Sequence, residues 1–191
     1  KDAALGISSE PNFSHQEGFH PSPLSMKIVA PAGATIYYTL DGADPDETNR
    51  LVYETPLNIS SNTVVRATVS LPNHLESETV TKTFFINEKS TLPVVSLTMD
   101  PYWLYDEDDG IHTNWEDDYE VPGHIEFFPN GQSKAAAFSS YLGVSIGGNS
   151  TKEYAKKSFS FRFRKGWGKS NIKYSLWDTK PHVTKFDGLA L

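Results

Sequence analysis

The run GVSIGGNSTKEYAKKSFSFRFRKGWG, residues 143–168, gathers residue types that can handle phosphate. Gly143, Gly147 and Gly148 carry no Cβ, so backbone N–H groups there can approach an anion closely; Asn149 and Ser150 add donors, and Lys156 or Lys157 adds a point charge. Lys157 is the preferred lysine because it directly precedes an alternating strand. The candidate nucleotide-binding set is therefore Gly147, Gly148, Asn149, Ser150 and Lys157. The same residues also read as a plain strand connection. Glycine pairs end strands, lysines guard exposed strand edges, and the spacing GxxxGG matches neither a Walker loop nor the usual kinase glycine loop.

A second set is acidic. YDEDDGIHTNWEDDYE, residues 105–120, packs eight carboxylates into sixteen positions, and hard cations want clustered oxygens. Asp106, Asp108 and Asp109 are the candidate Ca²⁺ ligands. The run departs from the EF-hand pattern, since Tyr105 stands where an aspartate belongs, five residues before Gly110; a solvated acidic loop is the competing reading. Asp41, Asp44, Asp46 and Glu47 pose the same choice between Ca²⁺ and turn formation. Asp117 and Asp118 do not make a glycosidase pair, because neighbouring residues point apart and that chemistry needs carboxyls about 5 to 9.5 Å apart in one cleft. The six histidines never fall at the i, i+4 spacing of a helical zinc pair, and cysteine is absent, which excludes disulfides and thiolate chemistry. No catalytic residue is assigned.

The elements that must position these groups are strands. TIYYTL sets Ile36, Tyr38 and Leu40 on one side, TVVRATVS does the same with Val65, Ala67 and Val69, and SFSFRFR alternates Phe159, Phe161 and Phe163 with Ser160, Arg162 and Arg164. LPVVSLTM, GHIEFF, LGVSIGG and NIKYSLW are further strand candidates. About ten strands are expected, with at most two short helical turns, one near Pro101–Tyr105 and one near Thr151–Lys157. The fold class is all-β. INEKSTLP, residues 86–93, is polar and proline-bearing and serves as the linker. The expected domains are 1–89, an immunoglobulin- or fibronectin-like sandwich, and 90–191, a second β-rich domain with few short helices.

A chain of 191 residues with 38% hydrophobic residues can bury a core, and its net charge of −7 argues against nucleic acid as a partner. No run of about 18 apolar residues spans a bilayer, and the first residues lack the apolar core of a signal peptide. Charge is segregated: residues 91–130 hold ten acids and no Lys or Arg, and residues 131–191 hold eleven Lys or Arg and three acids. Either the two segments attract each other, or they offer opposite faces to a ligand. Four tryptophans and nine tyrosines supply core packing or, alternatively, a sugar-stacking platform.

Two family resemblances add to this. IYYTLDGADP, VYETPLNIS and TVVRATV, in that order within about residues 11–86, resemble the small immunoglobulin- or fibronectin type III-like module at the C-terminus of chitobiase and β-hexosaminidase. That resemblance implies an accessory domain without catalytic residues, on exported hosts, and hence an extracytoplasmic location with the signal peptide absent from this stretch. From LPVVSLTMDPYWLYDEDDGIH to KFDGLAL, about residues 91–191, the order is similar to the N-terminal part of the CotH family, the spore-coat protein H-like kinases. This implies a parent that is an atypical protein kinase using ATP and Mg²⁺, with its catalytic carboxylates in a lobe that would follow Leu191. The expectation is a non-catalytic fragment of an exported bacterial protein, an accessory scaffold whose partners are that missing C-terminal lobe and a surface protein or glycan. No cofactor is required for the chain itself. The alternatives are a carbohydrate-binding accessory module and a nucleotide-binding lobe without catalysis.

Overall fold

The computed structural model describes residues 5–191. The fold is all-β and immunoglobulin/fibronectin-like, built of strands in several sheets with one short α-helix among the described residues. Two compact units divide it. The first runs to Val94 and takes in Phe128–Ala136; the second comprises Val95–Phe127 and Ala137–Leu191. The chain thus passes between the units three times, and the nine-residue excursion after Phe127 groups with the first unit rather than with its sequence neighbours.

In the first unit the strands are β1 (Asn12–Phe13), β2 (Gly18–His20), β3 (Leu24–Met26), β4 (Ile28–Val29), β5 (Thr35–Thr39), β6 (Leu51–Val52), β7 (Leu57–Ile59), β8 (Thr63–Ser70) and β9 (Val80–Ile86). The main sheet has the order β2-β9-β8-β5-β6, and the pairs β1-β4 and β3-β7 form two small sheets. Period-2 alternation makes β8 a strand with one apolar face: Val65, Ala67 and Val69 are fully buried, and Val69 faces Ile36 of β5 across the antiparallel ladder. These residues join Met26, Ile28, Ile59, Phe84 and Ile86 in one core. Leu40 is an exception to the alternation. β5 stops at Thr39, and Leu40 stands 44% exposed in the turn. On the opposite side of β9, Phe85 stacks on Phe19 at 4.5 Å, and both rings meet the edge of Phe128.

The second unit is built on the sheet β10 (Val94–Thr98), β11 (Val121–Phe128), β12 (Phe138–Gly147), β13 (Ser158–Arg162) and β14 (Gly188–Ala190), in that order. β12 pairs antiparallel with β11 and β13, and β13 with β14. One face carries Val121, Ile125, Leu142, Val144, Ile146, Phe161 and Phe163, all buried. The helix α1 (Pro101–Tyr105) starts where Asp100 accepts the N–H of Tyr102, with Pro101 in the first turn where a missing N–H costs nothing. The expected turn at Thr151–Lys157 is shorter than the sequence suggests, a 3-10 helix over Ser150–Glu153. NIKYSLW is not a strand. Only Ile172 bridges, to Phe186, while Tyr174 and Leu176 pack against the core from irregular backbone, so apolar spacing there reflects burial without a ladder.

Candidate functional site

Gly147 ends β12 opposite Ser158, and Gly148 turns the chain with φ +103. A Cβ on Gly148 would lie 2.1 Å from the Thr151 hydroxyl oxygen, so glycine is required both by backbone sign and by space. Asn149 caps the 3-10 helix without a side-chain hydrogen bond, and Asn149 and Ser150 are exposed. Beside this turn lies a cleft of about 420 Å³ walled by Gly147, Gly148, Ser145 and Ser160, by the cations Lys152, Arg162 and Arg164, and by Asp118 and Glu120.

Lys157 does not line that cleft. Its ammonium donates to the carbonyls of Lys152 at 2.5 Å and Tyr154 at 3.2 Å, and sits 4.9 Å from the centre of the Trp115 ring. Of the nucleotide set named from sequence, the structure therefore brings Gly147 and Gly148 to the cleft, leaves Asn149 and Ser150 on the adjoining turn, and sends Lys157 elsewhere. The reason is local: the short helix exposes its last carbonyls, and a lysine placed just after it satisfies them. The cations that do reach the cleft were missed as site residues. The signal was available, because alternation through Phe159, Phe161 and Phe163 turns Ser160, Arg162 and Arg164 to the opposite face.

Charge segregation is resolved into internal pairing at this cleft. Lys152 Nζ meets Asp118 Oδ1 at 3.2 Å and Arg164 Nη2 meets Glu120 Oε1 at 2.7 Å, each pair joining the acidic segment to the basic one. Asp118 and the Arg164 side chain are largely exposed, so these pairs orient groups more than they stabilise the fold. Arg162 makes no ion pair among the described residues.

The acidic run forms a hydrogen-bonded turn. Asp106 Oδ1 accepts the N–H groups of Asp108 at 3.0 Å and Asp109 at 3.1 Å, the Tyr102 hydroxyl donates to Asp109, and the Tyr119 hydroxyl donates to the Asp109 carbonyl at 2.7 Å. The bond to Asp109 and the surrounding carboxylates push the Tyr102 phenol up to about 12; burial, then Asp109, raises Tyr119. The Asp106 carboxylate is thus spent partly on backbone donors and that of Asp109 on a phenol, whereas Asp108 contributes only its backbone N–H, and among the described residues no three His, Asp or Glu side chains are grouped to hold a metal ion.

In the first unit three carboxylates of the 41–47 turn, Asp41, Asp44 and Asp46, have partners as well. The Arg66 guanidinium, with its residue 3% exposed, donates to the Gly42 carbonyl at 2.8 Å and pairs with Asp44, while Asp41 accepts the N–H of Ala43 at 3.1 Å. Asp46 accepts from the hydroxyl and N–H of Thr48, which holds its carboxyl below the usual range. Turn formation accounts for these acids. Trp103 and Trp115 pack on the second core, and Trp177 stays 42% exposed beside Phe186.

Compared with known families, residues 26–84 match the family model described as Fn3 associated. This stretch of the first unit is similar to the fibronectin type III-associated family, in line with its resemblance to the chitobiase-type domain. No curated protein and no solved structure matches the chain. No helix among the described residues is long and apolar enough to cross a membrane.

Proposed function

We propose that this chain is a non-catalytic accessory part of an exported bacterial CotH-like protein kinase and acts as an interaction scaffold. The observation that carries the reading is the engagement of cations around the glycine turn. Lys152 and Arg164 are held by Asp118 and Glu120, and Lys157 is held by two carbonyls. Phosphoryl transfer needs cations directed at a triphosphate and metal-holding carboxylates beside it, whereas here the carboxylates neutralise the cations. The fibronectin type III-associated stretch at 26–84 supports the accessory role and an extracytoplasmic setting.

One observation favours a second reading, a nucleotide-binding lobe without catalysis: Arg162 lines the same cleft as Gly147 and Gly148 and has no ion-pair partner among the described residues. Calorimetric titration of the purified chain with ATP and Mg²⁺, and separately with chito-oligosaccharides, decides among the readings. The scaffold predicts no saturable heat from either. ATP binding abolished by Arg162→Ala would transfer the case to the nucleotide lobe, and sugar binding abolished by Trp177→Ala would transfer it to a carbohydrate module.

A further inference from the structure

The first unit carries a second recess, of about 520 Å³, a size ordinary for a ligand pocket. Its apolar part is Phe19 and Pro21; its walls are Asn87, Glu88 and Lys89 just after β9, and Gly131, Gln132 and Lys134 of the excursion. Backbone hydrogen bonds pin each wall. Phe19 donates to the Ser133 carbonyl at 2.9 Å, Asn87 to that of His20 at 2.9 Å, and Gly131 to that of Ser90 at 3.0 Å. Gly131 is packed so closely on Ser90 that a Cβ would lie 2.0 Å from the serine nitrogen, and Asn87 holds a left-handed φ of 58. The recess is therefore preformed, with its rim set by unusual backbone.

Its polar groups differ in kind from those of the glycine cleft. Glu88 already accepts from Asn62 Nδ2 at 3.2 Å, and His20 Nε2 donates to the Gln16 carbonyl at 3.0 Å. The side chains of Asn87, Lys89, Gln132 and Lys134 have no hydrogen-bond or ion-pair partner among the described residues. Two ammonium groups and two amides thus face a recess in which the one carboxylate is engaged, an excess of donors suited to an anion. Phe19 is 7% exposed and stacked on Phe85, so it offers no ring face to a sugar. Amide side chains, by contrast, match both the donor and the acceptor of a peptide bond.

We propose that this recess binds an acidic peptide, with a carboxylate bonded by Lys89 and Lys134, the peptide backbone met by Asn87 and Gln132, and an apolar side chain against the exposed Pro21. This goes beyond the accessory reading and stands on the first unit by itself, so its failure would leave the ATP and sugar titrations to decide that reading separately. The test is fluorescence anisotropy of a labelled Glu-Leu-Glu-Leu-Glu peptide titrated with the whole chain. Saturable binding is expected, weakened at least about tenfold by the double change Lys89→Ala/Lys134→Ala and by added salt. The control double change Lys173→Ala/Lys185→Ala, on another surface, should leave it unaltered. The proposal is overturned by absence of saturable binding, by equal affinity for the Gln-Leu-Gln-Leu-Gln peptide, by equal losses in both double variants, or by oligogalacturonate binding where the peptide is silent. All four lysines are exposed, so neither double variant threatens folding, and urea unfolding checks that.

Discussion

At the scale of single residues, Asp41, Asp44, Asp46, Asp106 and Asp109, among the acids that invite a metal reading, have named partners, and Arg66 is the clearest of these partners. Its buried guanidinium closes the turn by binding Gly42 and Asp44, so Arg66→Ala removes both bonds and leaves a void beside them. A loss of about 2–4 kcal/mol is expected in urea unfolding of the first unit. A loss under about 0.5 kcal/mol would mean that the turn holds without it. Gly148 makes a second case. Gly148→Ala should cost about 1–3 kcal/mol, and adding Thr151→Ala should recover only part, because the contact with Thr151 is removed while the positive φ remains. Complete recovery would show that space alone, and not backbone sign, demands glycine. Lys157 marks the limit of reading residues from sequence. Its place before β13 suggested a phosphate ligand, but the carbonyls it satisfies become visible only once the short helix is in place.

Elements were legible where alternation was strong. β8 and β13 could be read residue by residue because the apolar residues of each alternate onto one face that packs on a core, whereas Ile172–Trp177 has similar apolar content and forms no ladder. Two- and three-residue strands such as β6 and β7 lie below what a period can reveal, since pairing rather than pattern defines them. Hydrogen bonds between segments distant in sequence were invisible in the same way. Glu17, just before β2, pairs with Lys82 of β9 and accepts the Ala136 N–H at 3.2 Å, tying the excursion to the first unit. Burial alone would raise the Glu17 carboxyl, but the bonds from Lys82 and the backbone outweigh it and hold it below its ordinary value of 4.5. A depressed folded-state value means that this stabilisation is fully present above the unfolded-state value and is lost as pH falls through the folded one. Glu17→Gln should therefore lower stability near neutrality and flatten its decline below about pH 5, as followed by urea unfolding at successive pH values. An acid limb as steep as that of the unaltered chain would assign the decline to other carboxylates.

For the whole molecule, the polar linker at 86–93 leads to an expected boundary at residue 89, whereas the first unit runs on to Val94, and no sequence signal announces that Phe128–Ala136 groups with it. Phe128 ends a strand of the second sheet and reads as part of its core; instead it is fully buried against Phe19 and Phe85. A fragment of residues 1–89 lacks that ring and the Ala136 donor. It should unfold about 3–5 kcal/mol more easily than the same unit within the chain and bind more of an apolar-surface dye, and equal stability would show the excursion to be dispensable. The accessory reading rests on a different feature of the molecule, the pairing of its acidic segment with its basic one across the glycine turn. Transfer of labelled γ-phosphate from ATP to added protein, measured for the purified chain with Mg²⁺ against a heat-inactivated sample, tests that reading most directly. The two samples should be indistinguishable; transfer above the inactivated sample that disappears in Arg162→Ala would contradict it.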